Sequence, residues 1–169
     1  MKKVLVSVLA AMYLVLVSSS PLLALEKSKE DIIKMNCRPA QSILNQLEKA
    51  DAALRINRGR LYNDVINLLY AMNARLANNR ITAPKMVSTT SKIEQLVKQF
   101  REDYPTYDDN LTELIKMDCQ KSPSLFYDRL VKFRQGRANL GHLVGKIDDL
   151  IREYSQQFNQ FKDNYREQN

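Results

Sequence analysis

The sequence predicts an all-α fold: an elongated up-down-up three-helix antiparallel bundle with coiled-coil packing. Three observations predict it. Glycine and proline are sparse, 4 and 5 in 169 residues, which argues against turn-rich β-folds. Apolar residues recur every seven positions through three long segments, the period of supercoiled helices and not of strands. Cys37 and Cys119 have their midpoint at residue 78, the start of the turn signal Asn78–Pro84, as they would at the open end of an antiparallel hairpin.

The elements follow in chain order. Met1-Lys2-Lys3, the aliphatic run Val4–Val17 and the small-residue stretch Ser18–Ala24 read as a secretory signal peptide, residues 1–24, cleaved after Ala24. The alternative is an uncleaved anchor, because the charge-free stretch Val4–Leu25 is long enough to cross a hydrocarbon core of about 30 Å. Ser18, Ser19, Ser20 and Pro21 interrupt that run and favour cleavage. A single helical domain, 25–169, follows, and the expected location is secreted or periplasmic in a bacterium. Losing Lys2 and Lys3 lowers the formal charge from +7 to +5.

The first helix is expected at about 38–79, with Leu47, Leu54, Leu61 and Leu68 on one heptad stripe and Leu44, Asp51, Arg58, Val65 and Met72 on the next. This seam drifts toward Leu69 and Leu76. The second is expected at 84–119, with Met86, Ile93, Phe100, Tyr107, Leu114 and Thr90, Val97, Tyr104, Leu111, Asp118 as its two stripes. Pro105 falls inside this pattern, yet the heptad phase survives across it. One kinked helix is therefore expected, the alternative being two helices split at Pro105. The third is expected at 123–166, where Ser122 suits an N-cap and Pro123 the first helical position. Its stripes are Phe126, Phe133, Leu140, Ile147, Tyr154, Phe161 and Leu130, Arg137, Val144, Ile151, Phe158, Tyr165.

Composition also narrows function. One histidine removes every site needing two imidazoles, and two cysteines make neither a zinc knuckle nor an iron–sulfur site. In an oxidising compartment Cys37 and Cys119 are expected to form a disulfide. Neither a Gly-rich phosphate loop nor a nucleophile elbow is present. His142 lies off the seams. The expectation is no enzyme, no cofactor, no metal and no nucleic-acid partner. A non-enzymatic helical protein acting by interaction or spacing is the first reading, and a periplasmic holdase-like chaperone the alternative.

Polar residues on the seams mark the candidate site. Asp51 and Arg137 are expected to pair between helices near Tyr104 and Tyr107, with register specification as the role and a polar binding site as the alternative. Arg55, Arg58 and Arg60, with Arg129, Lys132 and Arg134, are expected at similar height; the first reading is a solvated face covering the core, and the alternative a band toward a protein partner or an anionic component of the cell envelope. Membrane contact is expected only if the leader stays uncleaved. The chain is expected as a monomer or a homo-oligomer, with Leu69, Leu76, Leu143 and Leu150 available for self-pairing.

Cys37, the Arg55–Leu76 stretch, Phe100-x3-Tyr104-x2-Tyr107 and Cys119-Gln120-Lys121-Ser122 together resemble secreted coiled-coil proteins of candidate-phyla bacteria. The resemblance covers about residues 35–155 and implies architecture and export only. Pro105 departs from that group's uninterrupted second helix. The chain is also similar in size, basicity and long helices to the Skp-type periplasmic chaperone, but it lacks a strand-rich trimerising segment.

Overall fold

The computed structural model describes residues 29–167, apart from the side chains of residues 52–56 and 167. The expected signal peptide lies outside the described residues. The fold is all-α, with no strand among the described residues. Helix α1 runs Cys37–Asn78, α2 Pro84–Lys116 and α3 Pro123–Glu167. Residues 29–35 are helical as well, so the chain has more helices than the three expected. The extra element is set off by a covalent cause. Pro39 offers no N–H to the carbonyl of Met35 and its ring crowds that oxygen, so the helix interrupts at Asn36 and restarts at Cys37.

Helix α2 is the central element. It packs along both α1 and α3, which meet each other through few side chains. Both of its neighbours run antiparallel to it. Tyr62 meets Phe100 while Asn73 meets Thr90, and Tyr107 meets Phe133 while Thr89 meets Gln157. The central position explains its composition. Both heptad stripes of α2 are buried from Met86 to Leu114, since each faces a different neighbour. On α3 the stripe Phe126, Phe133, Leu140, Ile147 and Tyr154 is buried. The companion residues Leu130, Val144, Ile151 and Phe158 are only half-buried. Each fully buried Leu, Ile or Phe contributes about 1.5–3 kcal/mol.

The expected seam of α1 is corrected. Leu61 and Leu68 are 56% and 67% exposed, and the buried face is Leu44, Asp51, Tyr62, Leu69 and Leu76. A straight helix of 3.6 residues per turn drifts against a seven-residue repeat. Over α1 the drift rotates the leucine stripe out of the core. Leu69, Leu76 and Leu143 are buried and so are not available for self-pairing.

The α1–α2 connection is specified residue by residue. The Ile81 N–H donates to the Leu76 carbonyl and the Arg80 N–H to the Ala77 carbonyl, both at 2.9 Å. This is a Schellman cap, which requires a left-handed residue at the position that Arg80 fills with φ 61°. Ile81 and Leu76 both pack in the core, as the motif favours. Pro84 then occupies the first helical position of α2, where its missing N–H costs nothing.

Helix α2 continues through Pro105 as one element. The carbonyl of Arg101 loses its helical donor there, but Arg101 and Pro105 are both exposed and water can serve that oxygen. At its end α2 stops at Lys116, three residues before the expected 119, because Met117 turns to extended backbone at ψ 133°. Asp118 then organises the turn, accepting from the N–H groups of Gln120 and Lys121 at 3.0 and 3.2 Å. Those backbone donors hold its carboxyl below the usual carboxylate range.

The open end is closed covalently. Cys37 and Cys119 form a disulfide with Cα atoms 5.7 Å apart, and both are buried. Around it, the Gln41 amide donates to the Met117 carbonyl at 2.9 Å and the Gln120 amide to the Lys34 carbonyl at 2.7 Å. The bridge closes an 82-residue separation, for which chain entropy alone gives about 4.5 kcal/mol.

Candidate functional site

Two polar layers cross the apolar interior. The first centres on Asp51, placed by the inward face of α1 and 9% exposed. The Tyr107 hydroxyl, from α2, donates to Asp51 Oδ2. The Tyr104 hydroxyl, one helical turn away, donates to the Asp51 backbone oxygen at 3.2 Å. From α3, an Arg137 guanidinium nitrogen lies 3.7 Å from Asp51 Oδ1. The structure thus brings together the four residues that the sequence analysis grouped. The contact with Arg137 is the looser one, with 47% of that side chain in water.

An aromatic ladder runs from this layer along the core. Tyr62, Phe100, Tyr104, Tyr107 and Phe133 follow one another with centroids 5.2–5.9 Å apart. Burial and the hydrogen bond to Asp51 push the Tyr107 phenol far above its ordinary value, so it stays protonated and donates. Burial also raises Tyr62, whose hydroxyl donates to no acceptor, and hydrogen bonding and charge from the Arg58 guanidinium oppose that rise. Beside the ladder lies an open cleft of about 230 Å³, with Arg58, Arg137, Gly141 and Val144 among its lining residues. The Asp51 carboxylate in its wall already accepts from Tyr107 and faces Arg137. The Asp51 layer is therefore a donor–acceptor set drawn from all three helices, firm toward Tyr107 and Tyr104 and loose toward Arg137.

The second layer was not foreseen. The Tyr154 hydroxyl donates to Asn73 Oδ1 at 3.0 Å, and Asn73 Nδ2 donates to Thr90 Oγ1 at 2.9 Å. Thr90 in turn donates to the Met86 carbonyl at 2.9 Å. One residue comes from each long helix. Thr90 and Tyr154 were visible as polar-tipped members of apolar stripes. Asn73 sits beside Met72, outside the stripes read from the sequence, and only the rotation of the α1 seam turns it inward.

The basic band is corrected. Arg129 pairs with Glu113 of α2 and is not a free cation. Arg137 stands opposite Asp51 and Tyr154 opposite Asn73. That register puts Arg129 level with the forties of α1, more than two helical turns from Arg58. Lys132 and Arg134 are exposed at intermediate heights, Arg60 is exposed, and Arg58 lines the cleft. The Arg55 side chain lies outside the described residues. The two groups therefore do not form one band, because α1 and α3 run in the same direction with an offset that separates them.

The surface instead carries apolar side chains along α1. Ile43, Leu61 and Leu68 are 58%, 56% and 67% exposed there. No group of three or more metal-ligating side chains gathers among the described residues. No helix among them is long and apolar enough to cross a membrane. Comparison of the chain with protein-family models, curated proteins and solved structures gave no match.

Proposed function

We propose that the protein is a non-enzymatic, extracytoplasmic helical rod that acts by holding a protein partner along α1. In this reading the leader is removed after Ala24 and the three long helices work as an up-down-up coiled-coil bundle. The observation that carries it is the arrangement of α1, a 42-residue helix stapled to the α2 end by a disulfide and turning Leu61 and Leu68 outward. A disulfide persists in oxidising compartments, which supports export. Exposed leucines at seven-residue spacing are the surface that a partner helix covers. The resemblance to secreted coiled-coil proteins points the same way.

Photo-crosslinking in living cells tests the reading. A photoreactive amino acid at Leu68 is expected to give a covalent adduct with a protein. The same residue at Asp103, on the exposed flank near Pro105, is expected to give none. Absence of an adduct from Leu68, or equal adducts from both positions, would overturn it.

A further inference from the structure

We infer that the cleft beside the aromatic ladder binds a small organic carboxylate, its anionic end held by Arg58 and Arg137 and its apolar body laid against Phe100, Leu140 and Val144. The charges come first. The residues that line the cleft include two arginines, Arg58 from α1 and Arg137 from α3, and one acid, Asp51. Asp51 is occupied by the Tyr107 hydroxyl and by its loose contact with Arg137. Arg58 is half-buried and forms no ion pair with an acid among the described residues. A cation partly withdrawn from water, with no counter-charge in contact, is a binding group for an anion.

A second, independent observation points to the same ligand. The Tyr62 hydroxyl is buried, with the residue 2% exposed, and donates to no acceptor; the Arg58 guanidinium beside it acts on it only as a donor. Tyr62 lines a recess of about 160 Å³ that shares Phe100 and Tyr104 with the cleft. The group beside this hydroxyl is the Arg58 guanidinium, which carries donors only. Asp148 acts on the phenol through space and accepts no hydrogen bond from it. What the phenol lacks is an acceptor. An anion held by Arg58 supplies one, so a single carboxylate completes both groups.

Size and lining set the rest of the ligand. A cleft of about 230 Å³ is smaller than the roughly 300–1,000 Å³ of sites for drug-sized molecules. It suits an acid with one ring or a short chain. Its floor is aromatic and aliphatic, which favours an apolar body over a second charged group. Gly141 lines the cleft, and a Cβ there would meet nothing within 4 Å, so the position borders open space. The cleft is separate from the leucines that carry the partner reading, so either proposal can fail without the other.

An NMR titration of the oxidised protein tests the inference, with phenylacetate, its neutral counterpart 2-phenylethanol and inorganic phosphate as probes. Phenylacetate is expected to shift the Arg58 and Arg137 side-chain N–H signals and the Gly141 amide saturably, with a dissociation constant in the millimolar range or tighter. Phenylethanol and phosphate are each expected to bind at least tenfold more weakly, because one lacks the charge and the other the apolar body. Arg58→Gln and Gly141→Leu are each expected to weaken phenylacetate at least tenfold, the first by removing the cation and the second by filling the cleft. Position 141 is exposed and Arg58 half-buried at the cleft, so helicity and the disulfide should be unchanged. Tyr62→Phe is expected to weaken binding severalfold, since it removes the hydroxyl that donates to the bound carboxylate. Absence of saturable shifts would overturn the inference. So would equal binding of phenylethanol, phosphate binding as tight as phenylacetate, or full affinity in Arg58→Gln.

Discussion

The sharpest energetic prediction concerns Asp51 and Tyr107. Replacing Asp51 by Leu removes the acceptor of the Tyr107 hydroxyl, and Tyr107 is only 4% exposed. A buried hydroxyl left without a partner costs about 1–3 kcal/mol. The Arg137 contact adds little, because at 3.7 Å and 47% exposure it is close to a surface pair. The Tyr104 bond survives, since it goes to backbone. Asp51→Leu alone should therefore destabilise by about 2 kcal/mol. Tyr107→Phe keeps the ring stacked on Phe133 and leaves a carboxylate lacking one donor, a loss of about 1–2 kcal/mol. The double variant replaces both partners by apolar groups and should lie within about 1 kcal/mol of wild type. Urea unfolding of the oxidised protein measures all four corners of the cycle. Additive losses, with the double variant the least stable, would refute the coupling and with it the register-lock reading of this layer.

Three further outcomes follow from the same structure. Cys37→Ala with Cys119→Ala should lower stability by up to about 4.5 kcal/mol, read by urea unfolding beside the oxidised parent; a change under about 1 kcal/mol would contradict the long-loop account. Arg80→Gly relieves a left-handed residue in the Schellman cap and should stabilise by about 0.5–1 kcal/mol, while any loss of stability would show that the Arg80 side chain matters more than its backbone. Burial holds the phenols of Tyr62, Tyr107 and Tyr154 above their unfolded values. Their contribution is therefore complete below about pH 10 and is lost as pH rises toward the folded-state values, so stability should fall through the alkaline range. Tyr107→Phe should flatten that fall, and an unchanged slope would show that this phenol does not carry it.

Much of this architecture was legible because it rests on local rules. The α1–α2 turn follows from Asn78–Pro84, α3 opens at Pro123, and α2 crosses Pro105 because its heptad phase does not change there. The Asp51–Tyr107–Arg137 grouping followed from counting residues along antiparallel helices whose ends were fixed by Cys37 and Cys119. What escaped has one physical root. A seven-residue repeat tells which residues share a stripe and not which stripe faces the core. On α2 the ambiguity is harmless, since both stripes are buried. On α1, with one main neighbour, a small rotation sends Leu61 and Leu68 to water and brings Tyr62 and Asn73 inside. The same uncertainty in helix offset made the Arg58 and Arg129 groups look level. The break at Asn36 was readable from Pro39, whose ring acts four residues upstream of its own position.

The decisive measurement is the intact mass of the protein isolated from its own cells. The expected chain lies outside the cytoplasm, lacks residues 1–24 and is lighter by the two hydrogen atoms lost from Cys37 and Cys119. A cytoplasmic chain that retains Met1–Ala24 and carries two free thiols would contradict it.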